Sequence, residues 1–137
     1  MILLDTNILK ALVDPRDGQA GRAQADLEKF GNQRLVTIAP VLVECSYLLP
    51  AGFQRRRLDA LLTELPVDIL PGCETREFWE EVIRWLLKYE SHEPDAADAS
   101  IAVISGEHRK LKIWTYDNEF RTTWRRLDGS RIPLASE

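Results

Sequence analysis

Four short apolar runs, set apart by helical patterns, limit what this chain can fold into. They are ILL at residues 2–4, LVTI at 35–38, VDIL at 67–70 and a run at 111–114. After the first, a helix follows Asp5. Ala20, Ala23, Leu27 and Phe30 keep a 3.6-residue spacing, with Arg22, Asp26 and Lys29 on the opposite face. Pro40 stands where a helix begins, in PVLVECSYLLP, which closes at Pro50 and Gly52, and a further helix occupies 53–65. Phe78, Val82, Trp85, Leu86 and Tyr89 stripe a helix over 74–90, and another covers 95–106. RIPL at 131–134 reads as a fifth, edge strand, since Pro133 cannot donate to a ladder.

Strands alternating with helices are joined by right-handed crossovers. This predicts an α/β three-layer sandwich, a mostly parallel four- to five-stranded sheet flanked by helices. At 137 residues, one domain over 1–137 is expected, burying roughly two-thirds of its unfolded surface. The hydrophobic fraction of 45% and charged fraction of 29% fit a globular class. No apolar run approaches the ~20 residues of a membrane span, and residues 1–13 lack a basic n-region and cleavage site, so a cytoplasmic protein with no membrane partner is expected. Cys45 and Cys73 stand outside any CxxC or Cys/His cluster and read as two buried thiols.

A formal charge of −4 argues at first against a nucleic-acid partner. The charge is uneven, however. Residues 74–98 carry eight acids against three bases, and 107–137 carry seven bases against five acids, so net charge excludes little.

Function is written in the acids. In such a sheet the ligand crevice lies at the carboxyl ends of the strands. Asp5 falls at the end of the first strand and Asp117, in IWTYDNEF, just past the fourth. Glu44 is the only charge in a helix that is apolar on nearly every side, which predicts a buried helix. Asp98 repeats the pattern in DAADASIAVIS, with Asp95 three residues earlier on the same face. Asp5, Asp95 and Asp117 could each be an ordinary helix-capping acid, and Glu44 a buried carboxylate held by an arginine. Four acids in apolar settings on four elements of one parallel fold point instead to a shared site. Converging carboxylates raise one another's pKa, and divalent cations remove that penalty. An all-oxygen donor set matches Mg²⁺ or Mn²⁺ rather than zinc, and supports metal-assisted displacement at phosphorus.

DTNIL at the start, APVLVE at 39–44, DAADASIAVIS at 95–105 and TYDNEF at 115–120 together resemble the PIN domain family, and within it the VapC-type toxin ribonucleases. The match covers essentially the whole chain. It implies that Asp5, Glu44, Asp98 and Asp117 are acidic metal-binding and catalytic residues. Asn7 and Thr115 match polar positions that help to orient them, and Asp95 looks like an auxiliary acid. The resemblance further implies Mg²⁺-dependent cleavage of RNA, a homodimer, and neutralisation by a small antitoxin protein. A housekeeping PIN nuclease, or an inactive PIN module that binds RNA or protein, would look the same. Tyr116 departs from the pattern, for the family often has a small hydroxyl residue there. A haloacid-dehalogenase-type phosphatase would need a second Asp where Asn7 stands.

RNA reaching an acidic centre calls for cations around it. Arg55, Arg56 and Arg57 form one candidate cluster, and Arg121, Arg125 and Arg126 with Trp124 form another. Arginine suits phosphate and tryptophan can stack a base. The competing reading is a solvated helix face with Trp124 in the core.

Overall fold

The computed structural model describes residues 1–137. Its sheet has four strands: β1 (Ile2–Leu4), β2 (Leu35–Thr37), β3 (Asp68–Ile69) and β4 (Lys112–Trp114). They lie in the order β3-β2-β1-β4, and every pairing is parallel. Two helices fill each crossover. α1 (Thr6–Val13) and α2 (Ala20–Phe30) join β1 to β2, and α3 (Ala39–Leu48) and α4 (Gly52–Glu64) join β2 to β3. α5 (Arg76–Lys88) and α6 (Ala96–Glu107) lead to β4, and one helical turn, α7 (Glu119–Thr122), follows it. The first two crossovers step one way along the sheet and the third steps back across it. Right-handed connections therefore put α5 and α6 on the face opposite α1 to α4. α1 packs on α2, α3 and α4, while α5 packs on α6.

β1 is buried from end to end, as expected of a central strand covered on both faces. Its register sets Leu3 against both Val36 and Ile113. The ladder continues one step past the strand, because the Asp5 backbone N–H donates to the Trp114 carbonyl at 3.1 Å. That bond sets Asp5 beside the start of the segment that follows β4.

The expected fifth strand at 131–134 shrinks to one parallel bridge, Ile113 with Leu134. Ile113 donates to the Pro133 carbonyl at 2.9 Å and accepts from Ala135 at 2.8 Å, and Pro133 offers no N–H to lengthen the ladder. α3 also departs from expectation. Only Val41 and Cys45 are buried in it, and Val43, Tyr47 and Leu48 face outward, with Tyr47 86% exposed. The chain closes β3 with Pro71-Gly72, where Gly72 takes φ +112°, a conformation that side chains rarely adopt.

An aromatic nest holds the far face. Trp85, fully buried, packs against Tyr89 and Trp124, and its indole N–H donates to the Arg125 carbonyl at 2.7 Å. Trp85→Ala should therefore lower unfolding stability by about 3–5 kcal/mol, read as a shifted urea midpoint, since it opens a cavity and orphans that carbonyl.

Candidate active site

Asp5 is 4% exposed and has two jobs. It is the N-cap of α1, where its Oδ1 accepts from the Thr6 backbone N–H at 2.7 Å. Its Oδ2 faces across the sheet and accepts from the Thr115 hydroxyl at 2.7 Å and from Asn7 Nδ2 at 3.3 Å. Thr115 is the hub. Its oxygen also accepts from Asn7 Nδ2 and from the Asp117 backbone N–H, each at 3.1 Å. Asn7 Oδ1 accepts from the Tyr116 N–H at 3.0 Å. Asp117 stabilises its own turn by accepting from the Glu119 N–H at 3.0 Å. The ends of β1 and β4 are thus stitched by three polar side chains.

The other acids arrive on helices. Asp95 caps α6 and accepts from the Asp98 N–H at 2.8 Å, while an Asp98 oxygen lies 3.4 Å from the Asp95 N–H. Glu44 lies on α3 beside Asp95, in an apolar groove also lined by Pro40, Val43, Tyr47 and Leu48. The Thr6 hydroxyl is buried without a hydrogen bond of good geometry, yet it lies close enough to Glu44 and Cys45 to favour their charged forms.

Electrostatics record how near these groups are. Burial pushes the Asp5 pKa up to about 6 against its hydrogen bonds from Thr115 and Thr6, and Asp117 and Asp95 add to the rise. Burial, then the charges of Asp95 and Asp5, carry Glu44 to about 7. Burial, then Asp95, Asp5 and Asp117, carry Asp98 to about 8. Asp5, Asp95 and Asp117 thus act on neighbouring acids, and no basic side chain is among the causes. As the side chains stand, no three of them close round a single point.

The donor chemistry fits a hard cation. It offers carboxylate oxygens and one orphaned hydroxyl, and no imidazole. The neighbouring Cys45 thiol is pushed up to about 12 by burial and by Glu44 and Asp5, so it stays protonated and offers no thiolate.

The basic residues divide sharply. Arg121 reaches a polar cavity that also contains Asp117, together with Arg22 of α2. Trp124 is 3% exposed among Trp85, Tyr89 and His92, so neither of its faces is free for a base. Arg125 donates to the carbonyls of Arg121 and Trp124, and Arg126 to Ser105 near the end of α6. Arg55 caps the end of α3 through the Ser46 and Leu49 carbonyls. Arg56 and Arg57 share its helix, whose start is tied by Gln54 to Asp14, the C-cap of α1, and so lies at the opposite pole from Asp5. These arginines do not rim the acids. Arg22 gave no sequence signal, because its partner Tyr116 lies on a distant segment.

The sequence pattern of the PIN domain matches residues 2–124. No functionally curated protein matches the chain significantly. Among solved structures, the crystal structure of Mycobacterium tuberculosis VapC20, a sarcin-ricin loop cleaving toxin, is similar with a TM-score of 0.72 at 22% identity, over 88% of this chain and 93% of that one. At that identity the likeness speaks for the fold.

The acids make a pH prediction. Three carboxylates have folded pKa values above their unfolded ones, so the folded state holds protons that the unfolded state has released. Stability is full below about pH 4 for these groups and is lost as pH rises through about 6 to 8. Asp98→Asn should make the metal-free protein more stable, by on the order of 1 kcal/mol at pH 8 after allowance for solvent screening, with the gain shrinking towards pH 5. Thermal melts in EDTA across that range check it.

Proposed function

The chain belongs to the PIN domain family, and on that premise we propose that it is a Mg²⁺- or Mn²⁺-dependent endoribonuclease, the toxin of a toxin–antitoxin pair. Family membership supports the nuclease, and the fold shared with an RNA-cleaving toxin supports RNA as substrate. The observation that carries the reading is the gathering of carboxylates at the β1–β4 crevice, where Asp5, Asp95 and Asp117 raise the pKa of acidic neighbours and no basic side chain is among the causes.

In this reading Asp5, Glu44, Asp98 and Asp117 hold the metal. Thr115 and Asn7 fix the Oδ2 of Asp5, and the Glu119 N–H fixes Asp117, so two of the four donors are set before any ion arrives. Asp95 orients α6 as its N-cap and adds charge that favours cation binding. When bound, the ion supplies Lewis acidity for making a nucleophile from water and for neutralising charge on phosphate oxygens. The folded chain keeps Asp98 and Glu44 partly protonated near neutral pH, and these protons must leave as a cation binds.

Purified protein should cut RNA with Mg²⁺ or Mn²⁺ and stop in EDTA. Asp5→Asn or Asp98→Asn should slow cleavage on the order of 10²-fold, since a lost ligand misplaces the ion. Full activity in EDTA rejects the metal mechanism.

The exposed surface supports protein partners. α3 and α4 expose Val43, Tyr47, Leu48 and Phe53, and α5 exposes Trp79, Ile83 and Leu87. Faces this apolar suit protein contacts. The proposed assembly is a homodimer whose apolar groove beside Glu44 and Asp95 takes the antitoxin. Co-expression with the adjacent small gene should give a co-purifying complex without RNase activity. A pair that fails to associate removes the toxin assignment and leaves the nuclease.

A further inference from the structure

Between α2, the segment after β4 and the C-terminal residues lies a cavity of about 220 Å³, with Gln19, Arg22, Tyr116, Asp117, Arg121 and Ser136 in its wall. Asp117 stands in the wall of this cavity and is also one of the acids of the site, so the two are neighbours. The cavity's charge is opposite to that of the acids. Neither Arg22 nor Arg121 forms an ion pair with a carboxylate of the chain.

Arg22 is nonetheless held in place. Its guanidinium carbon sits 4.0 Å from the centre of the Tyr116 ring. The ring is fixed at both ends, since its hydroxyl donates to Asp26 Oδ2 at 2.7 Å and its backbone N–H to Asn7 Oδ1 at 3.0 Å. Burial and the Asp26 bond push the Tyr116 pKa up to about 12, so the hydroxyl remains a donor at working pH. A guanidinium stacked on an aromatic ring loses less freedom on gripping an anion, and its outer N–H groups stay free for a bidentate contact. A polyanion approaching a group of carboxylates needs such cations close by, where they offset the repulsion.

We infer that this cavity is a phosphate subsite for the RNA strand, in which Arg22 and Arg121 grip the phosphate of a nucleotide flanking the one at the carboxylates and Tyr116 positions Arg22. The inference rests on the nuclease reading, and binding measured without metal separates the two.

The probe is a fluorescein-labelled, twelve-nucleotide single-stranded RNA, titrated in EDTA over a range of potassium chloride and read by anisotropy. Arg22→Gln and Arg121→Gln should each raise Kd roughly fivefold and reduce the slope of log Kd against log salt by about 0.7, the signature of one lost phosphate contact. Tyr116→Phe keeps the stacking face but gives up the Asp26 anchor, so it should lose less binding than Tyr116→Leu, which should reproduce part of the Arg22→Gln loss. Arg84→Gln, on the outer face of α5, should change nothing.

Unchanged Kd and slope in both glutamine variants overturn the subsite, and so does a parent protein that leaves the RNA free. A labelled polyglutamate peptide whose binding is lost in Arg22→Gln while RNA binding persists reassigns the cavity to an acidic protein segment. Inorganic phosphate that displaces the RNA no better than chloride at equal ionic strength supports a site for the strand. Efficient displacement by phosphate overturns it in favour of the free anion. A lost slope without metal-dependent cleavage leaves an RNA site and rejects the nuclease, and cleavage with an unchanged slope rejects the subsite alone.

Discussion

Everything at the crevice depends on the last strand lying beside the first. The order β3-β2-β1-β4 makes the chain leave β1 towards one face of the sheet and arrive at β4 from the other. At that reversal the two following segments diverge and leave a gap at the carboxyl ends of the strands. One extra ladder bond, from the Asp5 N–H to the Trp114 carbonyl, fixes how the two ends align. Thr115 then stands opposite Asp5, and its single hydroxyl serves Asp5, Asn7 and the Asp117 N–H together. A slip of one residue in that pairing would turn Thr115 to the other face and dissolve the network.

The same adjacency burdens the fold. Asp5 receives hydrogen bonds from Thr115 and Thr6, and each favours its charged form. Even so its pKa rises to about 6, so desolvation outweighs both bonds. Asp98 goes further, to about 8, with one backbone bond to offset burial and three neighbouring acids. Such a cluster is tolerated because the core beneath it is independent of it. The strands bury Ile2, Leu3, Leu4, Val36 and Ile113 below the acids, and the aromatic nest around Trp85 lies on the far face. Stability is supplied by one part of the molecule and spent at another.

The strands, helices and their order were legible because each rests on a local pattern, an apolar run or a 3.6-residue stripe. Asp5 and Asp117 could be placed side by side because strand ends converge in a parallel sheet whatever the details, whereas Asn7 and Thr115 were singled out only through the family resemblance. What stayed hidden depends on partners far along the chain. The run at 131–134 has the look of a strand, but Pro133 limits it to a bridge. The apolar residues of α3 suggest burial on all sides, yet only the side carrying Val41 and Cys45 meets the core. Trp124 and Arg22 illustrate this. A tryptophan among arginines admits both a base-stacking platform and a core residue, and it is core, while Arg22, on the helix face opposite the apolar stripe, stacks on Tyr116. Neither fate follows from local spacing.

Capping and membership of a shared site are not rival accounts of most of these acids. In a parallel sheet a helix that directly follows a strand begins at the crevice, as α1 and α3 do, and α6, which follows α5 and returns to β4, brings its N-terminus there as well. Asp5 and Asp95 are N-caps, and Asp98 sits in the first turn of α6. Backbone N–H groups there favour a carboxylate with or without a ligand, so these three acids say little on their own. Glu44 differs. It lies in the second turn of α3, beyond the N-terminal donors, and no backbone group or basic side chain holds it. Its groove is mostly apolar, its neighbour is another acid, and its pKa is driven up to about 7. An apolar residue at this position would relieve both the desolvation and the repulsion. No requirement of helix, cap or core accounts for a carboxylate at position 44, and a demand for negative charge at the crevice does.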